Sequence, residues 1–314
     1  GFTSPASATT ITIKADSKEN VVNYYYTRNQ YTITWNLGIG SADGQSYTTG
    51  KVYYGAQVKA PVPVKTGYTF KWNAEPVTTM PASDLTYTAN WTANTYKVSF
   101  NTNGGTVESG KVTDREVAYD ATYGTLAVLS KTGYTFDGWY DGNAKVTAET
   151  VMQKTGDHTL IAKFTPIIYT LTFNNVVAGE QSNPETYTVE DAFALTAPAS
   201  RIGFTFEGWF DNAECKGEPV AKIEKGTTGN KTYYAKWTEN TYKVTFHAYN
   251  GSTVEEDRNI LYTGVLGENT FERIGYTFLG WSDGISDTTY GTDTALSQIV
   301  TADTEALHIY AVWE

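Results

Sequence analysis

The sequence predicts an α+β, strongly β-rich chain built as a tandem array of small domains, and three recurring segments carry that prediction. An alternating strand opens at Tyr31, Tyr96, Tyr169 and Tyr242, so successive copies stand 65, 73 and 73 residues apart by subtraction. A second landmark recurs as Gly67-Tyr68-Thr69-Phe70, Gly133-Tyr134-Thr135-Phe136, Gly203-Phe204-Thr205-Phe206 and Gly275-Tyr276-Thr277-Phe278. It is followed by Trp72, Trp139, Trp209 and Trp281, and the first copy lacks the Gly that precedes Trp in the others. Each copy closes on a third segment: Tyr87-x-Ala89-x-Trp91, Leu160-x-Ala162-x-Phe164, Tyr233-x-Ala235-x-Trp237 and Ile309-x-Ala311-x-Trp313. Periods of this size are those of whole domains.

Each element follows from its pattern. In the opening strand, period two turns Tyr96, Val98 and Phe100 to one face and Thr95, Lys97 and Ser99 to the other. Tyr31-x-Ile33-x-Trp35, Tyr169-x-Leu171-x-Phe173 and Tyr242-x-Val244-x-Phe246 repeat it with residues suited to a half-buried pleat. Between landmarks, Gly and Pro punctuate stretches such as Thr122 to Leu129, Ala60-Pro61-Val62-Pro63 and Ala197-Pro198. They exclude a long helix and allow each copy at most one short helix or helical turn. Asn103-Gly104-Gly105 predicts a hairpin turn after the opening strand. The third copy has Asn174-Asn175-Val176-Val177 there and must turn differently.

Together, Tyr-x-Val-x-Phe-x-x-x-Gly-Gly, Gly-Tyr-Thr-Phe-x-Gly-Trp and Tyr-x-Ala-x-Trp resemble the Listeria–Bacteroides repeat, or internalin B-repeat, of bacterial surface proteins, from about residue 31 to 314. The resemblance implies β-grasp-like (ubiquitin-like) domains, each a short helix on a small mixed sheet, strung together in cell-wall-attached adhesins. The repeats are expected at residues 30–93, 94–166, 167–239 and 240–314. Residues 1–29 read as the C-terminal part of a preceding repeat. Tyr26, in Val22-Asn23-Tyr24-Tyr25-Tyr26, stands five residues before Tyr31, as Trp91 does before Tyr96, and Gly1-Phe2-Thr3 matches the Gly-aromatic-Thr landmark. The chain is therefore expected to be cut from something longer.

Composition narrows the function. A net charge of −11 on dispersed acids argues against nucleic acid or an anionic membrane surface as a partner. No run of 18 apolar residues is present for membrane insertion. One cysteine, two methionines and three histidines leave no expectation of a cofactor or metal. His158, His247 and His308 share no repeat position, and there is no Gly-x-Ser-x-Gly elbow or phosphate loop, so the chain is expected not to be an enzyme. Glu255-Glu256-Asp257 reads as a solvated turn rather than an acid/base pair. Asp141-Gly142-Asn143 and Asp211-Asn212 lack the ligand series of a calcium loop and read as turns.

Units of this size are at the lower end of what one core can hold, and large aromatics, each burying roughly 150 to 250 Å², are the natural remedy. All eight tryptophans fall on landmarks. The expected core is therefore Trp35, Trp72, Trp91, Phe100, Trp139, Phe164, Phe173, Trp209, Trp237, Phe246, Trp281 and Trp313. A rival reading, aromatic platforms stacking on sugars, is left with tyrosines such as Tyr53, Tyr119, Tyr249 and Tyr290. The four-residue joints, Thr27 to Gln30, Thr92 to Thr95, Thr165 to Ile168 and Thr238 to Thr241, contain no Gly or Ser, which predicts stiff junctions and an extended rod. The expected function is a monomeric, non-enzymatic stalk or spacer of a bacterial cell-surface adhesin, extracellular and wall-attached through other regions, presenting a distal binding domain and adding weak multivalent contacts. The alternative is a module binding a host surface protein or glycan through tyrosine-rich surfaces.

Overall fold

The computed structural model describes residues 1–5, 12–16, 18, 23–38, 46–177, 179–302 and 306–314. Of the segment expected to end a preceding repeat, residues 6–11, 17 and 19–22, Val22 among them, lie outside the described residues. The chain divides into two compact units, Gly1–Lys131 with Phe136–Thr165, and Thr132–Thr135 with Pro166–Glu314.

In the first unit, residues 30–93 form one four-stranded mixed sheet. Its opening strand is Gln30–Asn36, its second Ser46–Tyr53, its landmark strand Tyr68–Trp72 and its closing strand Leu85–Ala93. The spatial order is second, opening, closing, landmark. Opening and closing strands run parallel, with Ile33 opposite Leu85 and Trp35 opposite Tyr87, and both flanking pairs are antiparallel. The same order recurs with Thr95–Asn101, Arg115–Ala118, Tyr134–Asp141 and His158–Pro166, where Ala144–Val146 adds a fifth strand beside the landmark.

The second unit holds two further copies. One comprises Tyr169–Asn174, Thr186–Tyr187, Phe204–Phe210 and Lys231–Glu239, and the other Thr241–His247, Glu255–Leu261, Phe278–Ser282 and Leu307–Trp313. Both keep the order second, opening, closing, landmark around a parallel central pair.

A central parallel pair must bury one face, and the alternating residues supply it. Val98, Leu160 and Ala162 are fully buried, with Tyr96 and Phe100 packed against them, while Thr95 and Lys97 are exposed. Val244, Phe246, Ile309 and Ala311 do the same in the fourth copy. A carboxylate or amide just before the closing strand caps the opening strand in three copies. The backbone N–H of Thr32, Lys97 and Thr170 donates to Asp84, Asp157 and Asn230 at 2.7, 2.8 and 3.0 Å.

Two expectations meet a different local structure. The stretch that had room for a short helix is extended instead. Thr122 bridges Val151, Gln57 bridges Thr79, Val265 bridges Ala295, and Phe193–Ala194 pairs with Lys222–Ile223. Asp120 at φ 63° and Gly124 at φ 70° interrupt any helical run there. The helical segment with a described extent is a 3-10 turn, Leu296–Gln298. Asn103 and Gly104 both adopt positive φ, and Gly105 N–H donates to Thr102, as a tight hairpin turn requires. The strand that follows, Thr106–Ser109, nevertheless leaves the opening strand and pairs with Val128–Ser130.

The Gly missing from the first landmark has a direct structural counterpart. Where Gly208 and Gly280 precede Trp, the landmark strand slips register against the closing strand, between Phe206 and Gly208 and between Phe278 and Gly280. From Tyr68 to Trp72 the register is regular. The bulge turns Trp209 and Trp281 fully inward, whereas Trp72 is half-buried and the opening-strand Trp35 fills that core.

Candidate functional site

Six of the eight tryptophans are held by their indole nitrogens as well as by packing. Trp139, Trp209 and Trp281 are buried and donate to the carbonyls of Ala127, Thr196 and Gly267 at 2.7, 2.9 and 3.1 Å. On the closing strand, half-buried Trp91, Trp237 and Trp313 donate to Leu37, Asn175 and Ala248 at 2.8, 3.0 and 2.8 Å, carbonyls just beyond the opening strand. Phe164 replaces the closing Trp in the second copy and is half-buried, as are Phe100 and Phe173, while Phe246 is fully buried. Trp35 is fully buried too, but its Nε1 has no hydrogen-bond partner among the described residues.

A second set of contacts joins successive landmarks and strands within each unit. Gly67 has φ +77°, and a Cβ built on it would lie 2.2 Å from the ring of Tyr119. Only Gly both adopts that conformation freely and admits the ring. Gly203, φ +81°, is met in the same way by Tyr262 at 2.1 Å, and Gly1 by Tyr54 at 2.2 Å. Gly133, which belongs to the second unit, faces Val189 there at 2.7 Å. The landmark aromatics complete the contact edge to face: Phe2 with Tyr54, Tyr68 with Tyr119, and Phe204 with Tyr262, at centroid separations of 5.6, 5.8 and 5.8 Å.

An asparagine of the short joint ties these parts. Asn94 N–H donates to Gly67 C=O at 2.9 Å, its carbonyl accepts from Tyr119 N–H at 2.8 Å, and its Oδ1 accepts from Thr69 Oγ1 at 2.7 Å. Asn240 makes the same three bonds with Gly203, Tyr262 and Thr205, at 2.8, 3.0 and 2.7 Å. Asn29 does so with Gly1, Tyr54 and Thr3. The joint is thus a specified arrangement of hydrogen bonds and rings. Sequence reasoning found the joints short but missed this asparagine, and it missed the cation two residues before each landmark Gly. Lys65, Arg201 and Arg273 place their charge 3.8, 4.1 and 3.7 Å from the ring centroids of Tyr68, Phe204 and Tyr276. The signal was Lys or Arg recurring at a fixed offset.

Histidines with no common repeat position do meet. Strand pairing sets Thr245 opposite His308 and His247 opposite Tyr310, so the ring nitrogens of His247 and His308 lie 2.9 Å apart and His247 stacks on Tyr310 at 4.5 Å. Beside them is a groove of about 770 Å³ lined by Tyr249, Arg273, Asp283, Ile285, His308 and Tyr310, with Tyr249 70% exposed. Asp283 is already occupied by the N–H groups of Ile285 and Ser286 and by Tyr290. Among the described residues, no three potential metal ligands cluster, and no helix is long and apolar enough to cross a membrane.

A chain whose recurring residues serve cores and joints is, as a class, a repeat region of small mixed-sheet domains. The family model for the Listeria-Bacteroides repeat domain matches it four times, over residues 31–93, 96–163, 169–236 and 242–312, and the chain belongs to that family. Two proteins of Evansella cellulosilytica, provisionally named as a Gly-rich membrane protein and a membrane protein, are each 28% identical over 91% of this chain. The chain spans 34% and 44% of their lengths. Internalin H of Listeria monocytogenes is 35% identical over 34% of this chain and 21% of its own.

Proposed function

We propose that this chain is a non-enzymatic spacer from a bacterial cell-surface adhesin, extended from the wall so as to present a distal binding domain. The observation that carries the reading is the recurrence of one specified joint, Gly, aromatic and Asn, at Gly1, Gly67 and Gly203. A flexible tether would need none of it. The sheet order around a parallel pair supports the β-grasp-like reading of each repeat, and similarity to internalin H supports a surface location. Small-angle scattering tests the proposal. Four units end to end give a maximum dimension on the order of 110 Å, against about 50 Å for one globule of this length. A value near the globular one refutes it.

A second reading is favoured by one feature, the groove beside Tyr249, where an exposed ring and Tyr310 could stack on a sugar. Titration with host-type oligosaccharides, followed by chemical-shift changes, tests it. Binding abolished by Tyr249→Ala supports the glycan module, and unshifted resonances at millimolar sugar dispose of it.

A further inference from the structure

We infer that the face of the fourth repeat around Gly275 accepts a further repeat, and that Tyr276 selects one carrying a carboxylate directly after its docking aromatic residue. The landmark glycines Gly1, Gly67, Gly133 and Gly203 are each covered by a side chain so close that a Cβ would stand 2.2, 2.2, 2.7 and 2.1 Å from it. Gly275 has the same backbone conformation, φ +79°, yet among the described residues nothing lies within 4 Å of its Cβ position. Beside it Ile274 is 99% and Tyr276 50% exposed. The face is thus built like its counterparts, and those counterparts state what covers it: an aromatic or aliphatic residue leaving a repeat's second strand.

The hydroxyl of the landmark tyrosine adds selectivity. Tyr68 donates to Asp120 at 2.8 Å, and Tyr134 donates to Glu190 at 2.9 Å, the acid in each case directly following the covering residue, Tyr119 or Val189. Where the landmark residue is Phe204, the covering Tyr262 is followed by Thr263, whose hydroxyl turns instead to Glu239 at 2.6 Å. A phenol therefore meets a carboxylate, whereas no acid follows the covering residue at Phe204 or at Phe2, whose covering Tyr54 is followed by Gly55. Tyr276 is a phenol, and Arg273 lies over its ring at 3.7 Å, as Lys65 lies over Tyr68 at 3.8 Å. The positive charge favours an acidic neighbour.

The test extends the full chain after Glu314. A copy of residues 93–166 places its opening Tyr five residues after Trp313, the spacing from Trp91 to Tyr96, and brings Tyr119-Asp120 as the docking pair. A copy of residues 239–314 keeps the same spacing and brings Tyr262-Thr263. Hydrogen exchange at residues 274–277 should slow about tenfold or more in both extended chains. Tyr276→Phe should speed exchange about fivefold in the first and leave the second unchanged. Unchanged exchange in both extended chains overturns the docking face, and an equal effect of Tyr276→Phe in both overturns the selectivity. Protection that instead grows with the concentration of the unextended chain assigns the face to a second copy and also overturns the inference. Tyr276→Phe removes one oxygen, and its circular dichroism should match that of the parent.

Discussion

Tyr119 occupies the space that a side chain on Gly67 would need, with the Cβ position only 2.2 Å from its ring. Gly67→Ala should therefore both strain the backbone and expel the ring, costing about 2 to 3 kcal/mol. Gly55 supplies the control, since it has the same φ of +77° and, among the described residues, nothing within 4 Å of its Cβ position. Gly55→Ala should cost only the conformational part, about 1 kcal/mol. Denaturant melts that give equal losses for the two variants would show that the joint stores no energy.

Trp35 buries an indole nitrogen with no hydrogen-bond partner among the described residues, at a position where the other copies have Phe100, Phe173 and Phe246. An orphaned donor costs about 1 to 3 kcal/mol, which offsets the larger area of Trp. Trp35→Phe should change stability by under about 1 kcal/mol. In contrast, Trp139 is buried with its nitrogen bonded to Ala127, and Trp139→Ala should remove about 3 to 5 kcal/mol, seen as the early loss of one copy in a thermal melt. Near-equal effects of the two variants would contradict this assignment.

Arg115 and Arg258 stand opposite Val98 and Val244, at the same place in their sheets. Arg258 is held by both oxygens of Glu256 at 2.8 and 3.0 Å, while Arg115 has Thr113 two residues before it, and its buried Nε and Nη2 have no hydrogen-bond partner among the described residues. Thr113→Glu should supply the missing carboxylate and stabilise the second copy by about 0.5 to 1 kcal/mol, a gain that salt reduces. A destabilised variant would mean that the carboxylate cannot reach.

Glu256 gives the fold a defined acid response. The hydrogen bonds from Arg258, then that from Thr270, lower its carboxyl pKa to about 2. A pKa depressed in the folded state stabilises above the unfolded value, about 4.3, and that contribution disappears as pH falls toward 2. Glu256→Gln should cost about 1 kcal/mol at neutral pH, a figure kept small because the Glu256 side chain is 37% exposed. It should also reduce the slope of stability against pH between roughly 4.5 and 2 by up to one proton. An unchanged slope in urea melts across that window would rule the pair out as its source.

The β-rich repeats were legible because burial repeats with period two, and Val98, Leu160 and Ala162 read directly from it. The joint was not. Asn94 is one polar residue in a short stretch, and its partners Gly67, Thr69 and Tyr119 come from distant elements. His247 and His308 share no repeat position, and their meeting was not legible for a related reason, since only the parallel pairing of their strands sets them side by side. The missing helix reflects local φ: Gly124 signals it, but Asp120 in a left-handed conformation has no sequence signature as strong.

The parallel pairing of opening and closing strands has a mechanical consequence. In the copy from Thr95 to Pro166, chain enters at the start of one central strand and leaves at the end of its parallel neighbour, with Val98 opposite His158 and Asn101 opposite Ile161. Tension between the two ends slides these strands past each other, so the bonds between them share the load and must fail together. A force-spectroscopy pull along the chain should meet high resistance in this copy, set by its unfolding rate rather than by its equilibrium stability. A pull applied across Tyr134–Asp141 and Ala144–Val146, a neighbouring antiparallel pair, opens its bonds one at a time and should succeed at much lower force. The arrangement that closes the core of each repeat is also the one that best resists being drawn out lengthwise.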